Sequence, residues 1–202
     1  MTRTISMKRL AMILALTVAV TFSLGSALML QSAEAKGKVV KVTTVKFCKT
    51  HSAKCYDKFY GKTKSGKVVW KFKSKKYIPA QCYSTSHKIK GKYVYINDCG
   101  VMKKLRLKSG KVVKKANKKV APGGHLAIDK KGSVYVGAQL GSAVYKLNKN
   151  LKYKWRTTIS VKDELAIYKI KVKNGKVIVT FSTFDLGYKK HVLNASDGRQ
   201  LK

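Results

Sequence analysis

The hexapeptide Lys64-Ser-Gly-Lys-Val-Val69 returns unchanged as Lys108-Ser-Gly-Lys-Val-Val113, 44 residues further on. A polar turn closed by glycine and followed by β-branched residues joins two strands of a hairpin. Other markers keep the same phase. A glycine precedes a strong strand at Gly91, Gly132 and Gly175, at spacings of 41 and 43. A leucine closes the next strand at Leu107, Leu147 and Leu193, at spacings of 40 and 46. Asn150 and Gly198 continue the turn series begun by Gly66 and Gly110. A period of about 40–45 residues marks an architecture built from one supersecondary unit repeated. Tandem hairpins of a sandwich do not normally keep the same turn chemistry at the same phase.

The clearest unit runs from Gly123 to Thr158. It reads as strands Leu126–Asp129, Val134–Ala138, Val144–Asn148 and Leu151–Thr157, with polar turns between them. Four short strands in about 36 residues make one blade of a β-propeller. The same reading extends along the chain. Strands are expected at Lys36–Lys49, Tyr56–Lys62 and Lys67–Lys73, with Val68, Trp70 and Phe72 on one face. Ile78-Pro79 breaks the pattern, and further strands follow near Cys82–Ile89, Gly91–Asn97, Met102–Leu107 and Lys111–Lys114. The last set is Leu165–Val172, Lys176–Phe181, Lys190–Asn194 and the final residues, with Asn174-Gly175 as a hairpin turn. The expected fold is all-β: a propeller of about four blades of four antiparallel strands, possible as an incomplete or open ring. The blades fall at approximately 36–79, 80–122, 123–160 and 161–202.

The first 35 residues carry a different pattern. Arg3, Lys8 and Arg9 are followed by an uncharged run from Leu10 to Ala33, then Ala33-Glu34-Ala35. A basic start, an apolar stretch and a small-x-small site describe a secretory signal peptide. An uncleaved membrane anchor is the alternative, because the run is long enough to span a bilayer. The expected mature domain is 36–202, with 42 basic and 7 acidic residues. Nearly all the basic residues are lysine. Lysine is a hydrated point charge, whereas arginine offers a planar fork for phosphate or carboxylate. A lysine field of this size favours anionic partners through summed charge.

Cys48, Cys55, Cys82 and Cys99 are an even set in a chain expected to be exported, which reads as two disulfides. Of the three pairings, Cys48–Cys55 with Cys82–Cys99 is favoured, since each clips a hairpin or neighbouring strands. The alternative is a zinc site from Cys48, His51 and Cys55 completed by Cys82 or Cys99. Oxidation is the commoner fate outside the cell.

Asp129-Lys-Lys-Gly-Ser-Val-Tyr-Val136, Val144-Tyr-Lys-Leu-Asn148 and Tyr153-Lys-Trp155 together resemble the repeat of secreted bacterial propellers of the NHL and pyrroloquinoline-quinone-like types. Ser65-Gly-Lys-Val-Val-Trp70 and Ala195-Ser-Asp-Gly-Arg199 are similar to the Gly-Lys-x-x-Trp ending of the quinone-type repeat. The resemblance covers most of 36–202 and its motif is structural. It implies the propeller fold without an activity, since many such proteins are non-enzymatic. Relatives usually close with six to eight blades. Four blades imply a small closed ring, an open arc, half of a dimeric ring or a truncated product.

His125 and Asp129 lie on the first strand of the clearest blade, the strand that lines a propeller channel, and are the candidate ligand contacts. The plainer reading of Asp129 is a cap on the following turn. His87 occupies the equivalent strand of the preceding blade at a different register. Asp163-Glu164 is the one close carboxylate pair, and adjacent residues split across a strand. No Gly-x-Ser-x-Gly, His-Glu-x-x-His or phosphate loop is present. The chain is also too short for the large ring in which the resembling dehydrogenases hold their quinone. No catalysis and no cofactor are therefore expected. Lys152-Tyr-Lys-Trp-Arg156 interleaves aromatics with cations, as single-stranded nucleic-acid surfaces do. Period-two packing is the preferred reading, with Leu151, Tyr153 and Trp155 inward and Lys152, Lys154 and Arg156 in water.

These readings converge on a secreted, non-catalytic propeller that binds anionic polymers of a bacterial envelope as a scaffold at the cell surface. Two other functions compete: a fragment or subunit of a quinone-type oxidoreductase, and non-specific nucleic-acid binding through the basic surface. A second copy completing the ring is a further expected partner, and a membrane only through an uncleaved leader.

Overall fold

The computed structural model describes residues 37–48, 55–74, 86–138 and 141–201, with backbone alone at 46–48 and 55. The leader and its cleavage site, His51, the Ile78-Pro79 break and Cys82 lie outside the described residues. Fifteen strands and no helix occur among those described. The first sheet holds β1 (Lys41–Cys48), β2 (Cys55–Lys62) and β3 (Val68–Lys73) in that order. The second holds β4 (His87–Lys90), β5 (Tyr93–Asp98), β6 (Val101–Arg106) and β7 (Val112–Lys115). The third holds β8 (His125–Ile128), β9 (Val134–Gly137), β10 (Ala143–Leu147) and β11 (Tyr153–Thr158). The fourth holds β12 (Glu164–Lys173), β13 (Lys176–Thr183), β14 (Tyr188–Asn194) and β15 (Gln200–Leu201). Every sheet is an up-and-down antiparallel meander.

Alternating side chains pack the second and third sheets against both of their neighbours. In β5, Val94 and Ile96 join Val42, Phe59 and Trp70 of the first sheet, whereas Tyr95 joins Leu126, Val134 and Val136 of the third. In β9 the arrangement repeats: Val134 and Val136 face the second sheet, and Tyr135 faces Ile167, Val177 and Phe181 of the fourth. Strands covered on both faces lose their exposed polar face, which is why β9 is buried throughout and β5 is buried from Val94 onward, its closing Asn97 and Asp98 included. Phe59, Ile96, Leu105, Leu147 and Leu193 are fully buried, and each stabilises the fold by about 2 kcal/mol. Sheets packed face to face around repeated meanders define a four-blade β-propeller. No core cluster joins the first sheet to the fourth among the described residues, so the arc is open.

The register sharpens the repeat. Val94, Val134 and Val177 pair with Leu105, Leu147 and Leu193 at the end of each second-to-third hairpin. Leu105 therefore holds the repeat position that spacing had given to Leu107, which lies in the turn after β6. Leu151, not Asn150, is the left-handed residue of the third blade's last turn, at φ 59° beside 86° for Gly66, 67° for Gly110 and 81° for Gly198. Its side chain is 1% exposed inside the core, and that burial offsets a backbone conformation usually left to glycine. Aligned by Lys-Ser-Gly-Lys-Val-Val, β3 matches β7. The first sheet thus starts at the second strand position, and among the described residues it has three strands.

Cys48 and Cys55 are opposite one another in the β1–β2 register. Opposed antiparallel residues have Cα atoms about 4.5–5.5 Å apart, within disulfide span. Cys99 takes part in a disulfide. The pairing of the four cysteines stays a proposal.

Candidate functional site

In an up-and-down blade, the first and third turns lie at one end. At that end a cavity of about 740 Å³ opens between the blades. Lys90 ends β4 and Lys173 ends β12, while Asp129, Lys130 and Lys131 belong to the β8–β9 connection. Tyr135 on β9 and Lys146 on β10 reach it from the sheet, and Ala195 and Ser196 from the last turn close it. Lys90, Lys130, Lys131, Lys146 and Lys173 thus share one space with a single carboxylate, Asp129.

Asp129 is held by its own hairpin. Its Oδ1 accepts the Ser133 N–H at 2.8 Å, and its Oδ2 accepts the Tyr135 hydroxyl at 3.2 Å. Gly132 (φ 86°) completes the turn. Burial first, and then the Asp129 charge, push the Tyr135 phenol well above its usual range, so it stays protonated and donates. Lys146 donates to the Ala195 carbonyl and lies 5.6 Å from the centre of the Tyr135 ring. Burial lowers the Lys146 ammonium pKa, and Lys154 and Lys131 act in the same direction while Asp129 opposes them. The cavity thus presents ammonium donors and suits an acceptor-rich anion.

His125 and Asp129 fall at the two ends of β8. Four residues of strand separate them by about 13 Å, so they do not form one site. His125 is exposed at the opposite end of the blade from the cavity. Its pKa is lowered by burial, against a hydrogen bond with the Ile167 backbone. His87 turns the other way. Its Nε2 lies 2.9 Å from the Val42 carbonyl, its Nδ1 3.1 Å from Thr44 Oγ1, and its ring stands edge-on to Phe59. A neutral imidazole fits both bonds, donating from Nε2 and accepting at Nδ1. His87 pairs with Ile96 and His125 with Gly137, one register step apart, so they sit on opposite faces of their strands.

The Asp163-Glu164 pair separates as the strand period requires. Asp163 occupies a left-handed turn (φ 61°), and Glu164 meets His191 Nε2 at 2.9 Å. Gln200 Nε2 donates to the other imidazole nitrogen at 3.2 Å. Sequence reasoning missed Tyr135 and Lys146. A signal was available, because Tyr95 and Lys104 repeat the same cross-strand pair one blade earlier, with Lys104 Nζ 5.4 Å from the Tyr95 ring. Among the described residues no cluster of three His, Cys, Asp or Glu is placed to hold a metal ion.

No protein-family model matches this chain, and no curated protein matches it. Solved structures do. Hydrazine synthase of Kuenenia stuttgartiensis is similar at 12% identity and TM-score 0.53, over 73% of this chain and 42% of its own. A Bacteroides caccae protein of unknown function is similar at 17% identity and TM-score 0.50, over 74% of this chain and 56% of its own. The β-propeller domain of a Myceliophteria thermophila protein matches at 10% identity and TM-score 0.45, over 58% of this chain and 37% of its own. This chain therefore spans under two thirds of each of these proteins, and the likeness is one of fold.

Proposed function

We propose that this chain is a secreted, non-catalytic propeller that binds anionic polymers of a bacterial envelope. The observation carrying this reading is the cavity in which five lysines face one carboxylate. The surrounding field adds to it, since the whole chain carries a formal net charge of +37. A cleft lined by one sign of charge concentrates counter-ions of the other. The carboxylate is already engaged by Ser133 and Tyr135, and Lys146 by the Ala195 carbonyl, which leaves the ammonium groups of Lys90, Lys130, Lys131 and Lys173 to the ligand. The leader's composition supports export, and the lysine content supports charge-driven retention.

The test is retention on purified cell walls at rising salt. Retention should disappear between about 0.15 M and about 1 M, as the screening length falls from ~8 Å to ~3 Å. Retention unchanged at high salt would sink the electrostatic reading. Replacing both Lys130 and Lys131 by glutamate should release the protein at lower salt than replacing Lys64 and Lys67, which are on an exposed turn of the first sheet.

A second reading keeps the quinone-type resemblance. Trp70 and Trp155 end the Gly-Lys-x-x-Trp pattern or its equivalent, and each docks on the next blade through its indole N–H. That repeated docking favours a quinone-type blade and leaves a role as an oxidoreductase subunit to be tested. Near-UV and visible absorbance of protein purified from its own host discriminates: a cofactor band would favour the enzyme, a bare protein spectrum the binding module.

A further inference from the structure

Among the described residues, every exposed large apolar side chain bigger than valine belongs to the fourth blade. Tyr168 is 53% exposed and Tyr188 58%, while Phe184 and Leu186 crown the β13–β14 turn. Scattered single apolar residues are ordinary, but a cluster marks an interaction surface. The face concerned is the one turned away from the third blade. Ile167, Ile170, Val177 and Phe181 fill the opposite face of the same sheet.

The backbone builds this surface. A register shift between Ile167 and Lys169 leaves Tyr168 as the extra residue of a bulge in β12. Bulges re-aim a side chain out of the regular alternation. Tyr168 meets Tyr188 of β14, with ring centres 4.8 Å apart, although β13 runs between their strands. Beneath the pair, Lys169 and Lys190 flank Thr180 in one cross-strand row, and Lys171 flanks Ile178 in the next. A shallow groove runs over these residues, without a carboxylate in its lining.

We propose that this groove binds an anionic polysaccharide, a chain of sugar rings bearing carboxylates. The inference rests on the reading of the protein as a polyanion binder and adds the chemistry of the polymer. The lysine rows favour negative charge, and two exposed tyrosine rings held together offer an apolar platform to the face of a sugar ring. A second copy of this chain does not fit, because the outward face of its first sheet carries Lys58, Lys71 and Lys73. Single-stranded nucleic acid is the competing occupant. It prefers separate rings for successive bases, and here the two rings lean on one another at 42°.

The full chain and its Tyr168→Ala/Tyr188→Ala variant are titrated with polygalacturonate, polyphosphate and oligothymidylate at fixed salt. The variant should bind polygalacturonate about tenfold more weakly, two exposed aromatic contacts being worth this much. Polyphosphate, which has the charge without the rings, should bind both proteins within twofold. Tyr188→Phe should keep wild-type affinity. The melting temperature of each variant is measured alongside, and the exposed tyrosines should leave it unchanged. Undiminished polygalacturonate binding by the double variant overturns the proposal. So does an equal loss on oligothymidylate, which would assign the platform to bases. If the wild type binds neither polygalacturonate nor polyphosphate, the polyanion reading itself fails. If it binds both and the double variant is unchanged, only the tyrosine platform fails.

Discussion

Asp129 shows how one residue can look like a ligand contact and serve a turn. Its two oxygens hold the Ser133 amide and the Tyr135 hydroxyl. Hydrogen bonds to a charged group contribute about 1.5–3 kcal/mol. Asp129→Ala should therefore lower the unfolding free energy by about 2 kcal/mol, read as a drop in the urea midpoint. Asp129→Asn keeps an acceptor and should lose less. The same change removes the one negative charge in the cavity. At about 6 Å in water that charge is worth about 0.7 kcal/mol, so Asp129→Asn should bind polyphosphate about threefold more tightly. Weaker binding by the asparagine variant would make the carboxylate part of the ligand site. His87 gives a second test at this scale. Burial lowers its pKa below 6.5, against the hydrogen bond to Val42. The unfolded chain then binds the extra proton first as pH falls, so stability decreases from about pH 6.5 downward and levels off below the folded pKa. His87→Gln should flatten that slope in pH-dependent urea melts, and an unchanged slope would assign the proton to another group.

The elements repeat more closely than their sequences do. In each of the first three blades the third-to-fourth hairpin carries a register shift at the same place, between Gly61 and Lys62, Lys104 and Leu105, and Lys146 and Leu147. Trp70 and Trp155 occupy the same position of β3 and β11, opposite Gly61 and Lys146, where β7 has Lys114 opposite Lys104. Trp70 donates its indole N–H to the Leu107 carbonyl at 2.6 Å, and Trp155 to the Ser196 carbonyl at 3.1 Å. Each ring covers the glycine of the next blade's turn. A Cβ added at Gly110 would sit 2.6 Å from the Trp70 ring, whereas one at Gly66 meets nothing within 4 Å. Both glycines have positive φ, so alanine costs about 1–2 kcal/mol at either. Gly110→Ala should cost a further 1–3 kcal/mol or so by overpacking, and equal urea midpoints for the two variants would remove the tryptophan contact from the account. Trp70→Phe loses the hydrogen bond with most of the burial kept, and should cost about 1 kcal/mol. The blade period was readable because turn chemistry is local: Lys-Ser-Gly needs only its own backbone. The left-handed Leu151 was not, because what holds it there is burial by other blades. The cavity was hidden for the same reason, its lysines coming from strands and turns of three different sheets.

At the scale of the molecule, charge and an open arc act on each other. The outward face of the first sheet carries Lys58, Lys71 and Lys73, and that of the fourth Lys169, Lys171 and Lys190. A ring completed by a second copy would press these like charges together. Exposed charges repel over a screening length of ~30 Å at 0.01 M salt and ~8 Å at 0.15 M. The protein should therefore scatter light as a monomer at low salt without a polyanion, and any dimer should appear only as salt is raised. A dimer that is most stable at low salt would mean that the terminal faces pair through contacts stronger than this repulsion. The same charge acts within one chain. A formal +37 opposes compaction, so screening it should raise the melting temperature. Sodium chloride should raise it steeply up to about 0.15 M and less beyond. A polyanion should achieve the same rise at far lower ionic strength, because it binds the folded surface and adds its binding free energy to stability. If polyphosphate gives no more stabilisation than sodium chloride of equal ionic strength, the lysines act as a diffuse field and the cavity is not a binding site.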